Sequence, residues 1–565
     1  MPRIKNVPGE DIKRSKVVWG LLYILVVFLS AATLVVQLFP DKRIVQQSQK
    51  QYWANVTVSA SRGNIIDRNN IPLAVSEPVT SFYIDPEHWD VKNAPLLEPL
   101  FGKQTVKKFS VPLKGRFHWV KRNVPAAKAD SLLGENKIPG LFTFTEKKRV
   151  YPNGSLAFHI LGYCDVDNYG QAGVELAWND VLYSPPKTKF LTRGRKSGVI
   201  ESMAEDSGLS TQGEGVIKLT IDSQIQQIVE LRLSEAVSEM KARWGAAVCV
   251  DPRTGEVLAM ASYPTIDANY RKNLMNTDST RNNVIGRVYE PGSIFKPIAM
   301  SIALDSAGVS KNSTYTCKGT IRVADKVIHD VNNRAHGVQD LTHVLMNSCN
   351  IGMSMLSMKT SNYDSYGLIR EFGFGEKSGI EMSGEENGLI KSPEEWLGTV
   401  PANIFIGQGL AVTPLQLAMG ISCIANGGTL LKPYIVSEVK DGTGKVIYKG
   451  EKRARYQPIS PQTAAFISSA MEKVVSEGGG KRAYTDMVRV AGKTGTAQIA
   501  QHGVYKKGNY VGSFVGFWPA EKPKYVLLVS LGEPQGKQYY GGLISAPVFK
   551  AIVEDIVQAI PEAKK

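Results

Sequence analysis

At 565 residues the chain is too long for one compact core and implies about two to four domains. Its 43% apolar and 21% charged composition is that of a folded globular protein, and no low-complexity tract or internal repeat points to a solenoid. A net charge of +15 suits an anionic membrane or polymer surface. No zinc-finger spacing or other reader module accompanies it, so nucleic acid is not an expected partner.

Residues 1–16 form a short basic tail carrying Arg3, Lys5, Lys13, Arg14 and Lys16. The uncharged run from Val17 to Val36 follows, long enough to cross a bilayer and longer than a cleaved signal's apolar core. The positive-inside rule keeps the tail cytoplasmic, makes residues 17–38 the anchor and exports the rest. Residues 39–215 are mixed in character. Val56 to Ala60 alternates like a strand, Tyr151-Pro152-Asn153-Gly154 is a turn, and the basic stretch from Ser184 to Gly198 has the composition of a loop. No catalytic constellation occurs there, so a spacer or interaction domain is expected.

From residue 216 the pattern changes. Val216 to Ile221 alternates as a strand, and Asp222 to Ala242 has helical spacing with Asp222 or Ser223 as the N-cap. Ala246–Val250 and Glu256–Ser262 make strands around the turn Asp251–Gly255, and Tyr525–Leu531 is a late strand before a helix over about 546–560. Residues 216–565 are therefore expected to form an α+β domain with an antiparallel sheet. The five cysteines, Cys164, Cys249, Cys317, Cys349 and Cys423, are scattered and odd in number, so neither a disulfide framework nor a metal cage is legible.

Three short motifs carry chemistry. In Ser293-Ile294-Phe295-Lys296 the serine and lysine share a helix face, where a neutral amine takes the hydroxyl proton without histidine. Pro297 places this pair near a helix start. In Ser348-Cys349-Asn350 a hydroxyl relays a proton and an amide orients a carbonyl. In Lys493-Thr494-Gly495-Thr496 the lysine and hydroxyls suit a carboxylate, and Gly495 leaves room for a substrate backbone along a strand edge. Each motif alone is commonplace; the ordered set is the penicillin-recognising serine signature.

With these motifs the sequence resembles a class B penicillin-binding protein. The resemblance runs through Tyr289-Glu290-Pro291-Gly292, Gly407-Gln408-Gly409, Val412 to Gln416, Phe514 to Phe517, Tyr540-Gly541-Gly542 and Ala546 to Phe549. Before residue 215 it runs through Arg62 to Arg68, Pro72 to Ser76, Tyr151-Pro152, His159, Gly162 and Gly173 to Glu175. It implies a single transmembrane helix, an elongated β-rich pedestal of the dimerisation type, and a transpeptidase domain with an antiparallel sheet and an all-helical subdomain. It also implies D,D-transpeptidation of peptidoglycan stems ending in D-Ala-D-Ala, inhibition by β-lactams, and no cofactor or metal. Ser293 is the implied nucleophile and Lys296 its base, with Ser348, Asn350 and Lys493 completing the catalytic set. Thr494, Gly495 and Thr496 are implied to bind the donor, and the Ser293 and Thr496 N–H groups to form the oxyanion hole. The EPGS and PLAVS stretches resemble the septal, cell-division branch more than the elongation branch. A SEDS-type glycosyltransferase and divisome membrane proteins are the implied partners. An elongation-type transpeptidase is the first alternative, and a β-lactam-hydrolysing or sensing protein of the same fold the second. Cys349 departs from the serine found there in many division enzymes. The 313–340 region, with Cys317 and His329, matches no trusted pattern and is read as structural. Gly478–Gly480 and Gln498–Asn509 are read as loops flanking the site.

Overall fold

A computed structural model describes residues 9–38, 53–58, 60–86, 88–114, 118–133, 138–185, 187–193, 200–201, 214–270, 277–501, 504–536 and 538–564. The chain divides into two units. One comprises Met1–Ser59 with Pro186–Leu209, the other Ala60–Pro185 with Ser210–Lys565. The first holds helix α1 (Gly9–Leu38) and a small antiparallel sheet of Trp53–Val58, Lys187–Arg193 and Ile200–Glu201. Within α1, Lys13–Val35 is apolar enough to cross a membrane, with mean hydropathy 2.4 and no burial. Lys187–Arg193 is a strand paired along Trp53–Val58 where the basic composition suggests a loop; pairing satisfies backbone groups whatever the side-chain charge. Residues 186 and 194–198 of that expected loop, like residues 1–8 of the tail, lie outside the described residues.

The second unit opens with β1 (Ile65–Ile66), β2 (Pro72–Ile84), β3 (His118–Pro125) and β4 (Leu141–Val150). Strand β5 (Val216–Leu219) runs parallel to β1, pairing Ile217 with Ile65, and antiparallel to Val436–Lys440. One sheet thus ties the region before residue 185 to the region after 216. Beside it, Glu175 is buried between two guanidiniums. It pairs with Arg62 Nε and Arg149 Nε, while Arg62 also donates to Asn179 Oδ1 (2.9 Å) and Arg149 to Gly63 O (2.6 Å). Burial works against the Glu175 carboxylate, but Arg149 and Arg62 hold its pKa below the usual range. This cluster gives the arginine- and glutamate-bearing stretches before residue 215 a physical role.

Asp222 caps α2 (Ser223–Met240), accepting from Gln224 N–H (3.0 Å) and Ile225 N–H (3.3 Å), a cap worth roughly 0.5–2 kcal/mol. Ile225, Val229, Leu233 and Val237 recur every fourth residue and are buried. Hairpin β6 (Trp244–Val250) and β7 (Val257–Tyr263) comes next, then α3 (Lys296–Ser306), α4 (Asn350–Ser357) and α5 (Pro414–Ala425). Strands β8 (Ala491–Gln501), β9 (Val504–Trp518) and β10 (Tyr525–Gly532) and helix α6 (Gly541–Ala559) complete the unit. The five-stranded antiparallel sheet has the order β7-β6-β10-β9-β8, with β8 at an edge. Both faces are covered. Ala246, Val248, Val526 and Leu528 join the core containing α3–α5, while Ala247, Cys249, Leu527 and Val529 join the core of α2 and α6. Each fully buried Val or Leu contributes about 1.5–3 kcal/mol. The fold is α+β, as the sequence implies. Helix α6 begins at Gly541, five residues before the expected start, with Pro547 inside it. Gln498–Asn509 is mostly a hairpin continuation, with Ala500 opposite Tyr505 and residues 502–503 outside the described set.

Candidate active site

Ser293 lies in a single 3-10 turn, Gly292–Phe295, that runs directly into α3. In a 3-10 turn side chains three apart eclipse, which aligns Ser293 with Lys296 more closely than an α-turn does. The chain enters this turn through Gly292 at φ 57°, a left-handed conformation natural to glycine. A Cβ there would also sit 2.9 Å from Thr496 O. The turn is held from both sides. Gly292 N–H donates to Gly407 O (2.8 Å), Glu290 accepts from Gly409 N–H (2.9 Å), and Tyr289 and Val412 exchange both backbone hydrogen bonds. Those contacts account for the glycine-rich and Val412–Gln416 stretches as supports of the serine turn.

Edge strand β8 crosses the same turn. A Cβ on Gly495 would meet Ile294 Cγ2 at 2.8 Å and Pro291 O at 3.1 Å. Gly495 therefore admits the protein's own serine turn, a role distinct from the substrate clearance expected from the sequence. Thr494 and Thr496 are half-buried beside it, and Thr496 Oγ1 accepts from Gly541 N–H (3.0 Å).

Lys296 and Lys493 are buried, and both reach Ser348. Lys296 Nζ donates to Ser348 O (2.5 Å) and Asn350 Oδ1 (2.7 Å) and lies 3.3 Å from Ser348 Oγ. Lys493 Nζ lies 3.0 Å from the same Oγ. Burial pushes the Lys296 ammonium down to about 8, partly offset by the negative charge of Asp330. Burial and the neighbouring Lys296 charge drive Lys493 well below its usual value. Two buried amines with lowered pKa values flank one hydroxyl, an arrangement suited to a proton relay. Ser348 itself has φ 53°, a conformation set by the turn between the helix Leu341–Met346 and α4. Among the described residues Ser293 Oγ has no hydrogen-bond partner in this resting arrangement, consistent with catalytic bonds that tighten only with substrate.

The structure thus brings Ser293, Lys296, Ser348, Asn350, Lys493, Thr494, Gly495 and Thr496 together from three separate segments. It adds Asp330, which sequence reasoning missed. Asp330 Oδ1 accepts from Asn350 N–H (3.2 Å), and Asn350 Nδ2 donates to His329 O (3.0 Å). No linear spacing reveals a partner twenty positions away.

The described geometry can be set beside known proteins. The penicillin binding protein transpeptidase domain model matches residues 245–554, more than half of the chain, and the penicillin-binding protein dimerisation domain model matches residues 57–208. The chain belongs to the penicillin-binding protein transpeptidase family. It is 32% identical to stage V sporulation protein D of Bacillus subtilis, covering 99% of this chain and 87% of that protein. It is likewise 32% identical to the peptidoglycan D,D-transpeptidase FtsI of Escherichia coli, over 96% and 91% of the two chains. Among solved structures, penicillin binding protein 3 of Mycobacterium tuberculosis complexed with aztreonam superposes with a TM-score of 0.70 at 26% identity, covering 90% of this chain and 98% of that one. A peptidoglycan synthetase of Bifidobacterium adolescentis gives 0.72 at 26% identity, with 91% and 98% covered. The presence of both family domains in one chain fits the class B resemblance.

Proposed function

We propose that this chain is a single-pass, inner-membrane serine D,D-transpeptidase that cross-links peptidoglycan stems through an acyl-enzyme and is acylated by β-lactams. The observation that carries the reading is Ser348 Oγ held 3.3 Å from Lys296 Nζ and 3.0 Å from Lys493 Nζ. Neutral Lys296 takes the Ser293 proton as Oγ attacks the penultimate D-Ala carbonyl. The proton passes by way of Ser348 and Lys493 to the leaving D-Ala amine, while the Ser293 and Thr496 N–H groups stabilise the oxyanion. Asn350, oriented by Asp330 and His329, holds Lys296 and the donor amide. Thr494 and Thr496 face the donor carboxylate, and an acceptor amine resolves the acyl-enzyme.

Four regions organise this activity: a cytoplasmic tail (1–16), the anchor (17–38), a non-catalytic pedestal (39–215) and the transpeptidase domain (216–565). The basic tail ahead of an unburied apolar helix supports a cytoplasmic N-terminus and an exported catalytic domain. The EPGS and PLAVS stretches favour the septal branch, with a SEDS-type glycosyltransferase and divisome proteins as partners. Intact-mass spectrometry of the full chain with a β-lactam tests the chemistry. A stable single adduct on Ser293, absent from Ser293→Ala, is expected. Consumption of the drug without an adduct points to hydrolysis instead, and an intact drug with no adduct removes the acylating serine.

A further inference from the structure

Immediately behind the Ser348–Asn350 turn is a buried cluster of which the proposed mechanism uses only Asp330, whose Oδ1 orients Asn350. The Cys317 and Cys349 sulfurs and an Asp330 carboxylate oxygen all lie within 4.8 Å of one another. Cys317 Sγ is 3.3 Å from Asp330 Oδ2, and His336 Nε2 approaches that same oxygen at 3.6 Å. Cys317, Asp330 and Cys349 are at most 3% exposed, and the His336 side chain 9%. Asp330 Oδ1 is occupied by the Val331 and Asn350 N–H groups, which leaves Oδ2 turned toward the two sulfurs and the imidazole. His336 is the histidine beside this cluster, while the His329 ring is exposed and bonds Asn333.

We propose that Cys317, Asp330, His336 and Cys349 form a structural zinc site that fastens the Ser348–Asn350 turn. A tetrahedral zinc ion with bonds of about 2.0–2.3 Å keeps its ligand atoms about 3.3–3.8 Å apart; Cys317 Sγ and His336 Nε2 already stand 3.3 and 3.6 Å from Asp330 Oδ2, the two sulfurs would close in from within 4.8 Å, and the His336 ring would move toward them on binding. Two sulfurs, one imidazole and one carboxylate oxygen suit zinc, which takes thiolate and imidazole ligands, better than magnesium or calcium, which take oxygen. Four protein ligands close the coordination sphere, as in structural sites.

Burial and the Asp330 carboxylate push the Cys349 thiol up to about 12, so without a metal it keeps its proton, and a bound cation would reverse that balance. Cys349 is the N-cap of α4, and its sulfur accepts from Gly352 N–H (3.3 Å) at the positive end of that helix. Gln339 Nε2 is buried beside the cluster and finds no hydrogen-bond partner of ordinary length, a donor that a charged sulfur uses better than a thiol does. Binding exchanges the two thiol protons, released to solvent, for one divalent cation, so the cluster keeps a single net negative charge beside Lys296. The metal therefore acts by holding geometry. It links the strands around Cys317 and the Asp330 turn to the residue between Ser348 and Asn350.

The test begins with metal content of the full chain purified in detergent without chelator, followed by removal of zinc and titration with cobalt. About one zinc per chain is expected, and cobalt should produce thiolate-to-metal charge-transfer absorption in the near ultraviolet. Cys317→Ser and His336→Gln should each weaken cobalt binding by more than about tenfold, the lower bound seen even for outer-shell partners. Cys423→Ala, a buried thiol elsewhere on α5, should leave metal content unchanged. Variants are compared only where a β-lactam still labels Ser293, which separates loss of metal from loss of fold. Zinc-free chain that binds no cobalt, or a Cys317–Cys349 disulfide in the freshly purified protein, overturns the proposal. So does metal content that survives both ligand substitutions.

Discussion

Replacing Gly495 by alanine isolates the contact between edge strand β8 and the serine turn. The added Cβ stands 2.8 Å from Ile294 Cγ2, 3.1 Å from Pro291 O and 3.2 Å from Ile294 N. Reaching the 3.4 Å at which ordinary contact begins requires a shift of 0.6 Å (3.4 − 2.8) against a fully buried isoleucine. Two of the three obstacles are backbone atoms of the turn itself, so a rotamer change cannot absorb the strain. Overpacking of this kind costs about 1–3 kcal/mol. Because the displaced elements carry Ser293 on one side and Thr494 and Thr496 on the other, the geometric error falls on the reacting groups. Misplacement by about 1 Å can cost ~100-fold in rate, so acylation slower by about 10- to 100-fold is expected. The assay is the second-order rate of labelling by a fluorescent penicillin, with thermal unfolding in parallel. Gly367→Ala, a helical site where a new Cβ meets nothing within 4 Å, is the control and should be neutral or stabilising by up to about 1 kcal/mol. A Gly495→Ala enzyme that labels within twofold of the parent and melts at the same temperature refutes the steric reasoning.

Three further outcomes follow from the same geometry. Only the neutral Lys296 amine accepts a proton, and its pKa is lowered to about 8, so the acylation rate should climb with pH through about 8 and level off above it; a rate flat from pH 6 to 10 contradicts a lysine base. Ser348→Ala removes the hydroxyl between the two amines and should slow acylation by about 10²–10⁴-fold with little change in folding, read by stopped-flow labelling beside a melting curve. Glu175→Gln leaves Arg62 and Arg149 buried without their counter-charge and should destabilise the chain by about 3–5 kcal/mol in denaturant unfolding. A loss below about 1 kcal/mol would show that the guanidiniums find other partners.

Much of this protein is determined locally and is legible in the chain. The anchor is a matter of apolar length, and Asp222 caps α2 because a short carboxylate in extended backbone reaches the first free N–H groups. Three of the five strands of the catalytic sheet, β6, β7 and β10, announce themselves as apolar runs because both faces are buried. The Ser293, Ser348 and Lys493 motifs are recognisable because their chemistry constrains residues within a few positions of one another. Helix α6 is legible except for its first five residues. Its first turn, Gly541–Ile544, contains two glycines that lack helical propensity and is stabilised by packing against β8 and β9.

What only the tertiary structure decided depends on distance between segments. The motif order does not show that Gly495 clears Ile294, that Lys296 and Lys493 share one hydroxyl, or that Asp330 orients Asn350. Nor does it bring His336 toward Asp330 and the two sulfurs. Burial, which lowers both lysine pKa values, is a property of the assembled core and of no single segment. Local sequence sets which groups are available; the close approach of strands and turns from distant parts of the chain sets their charge and their partners.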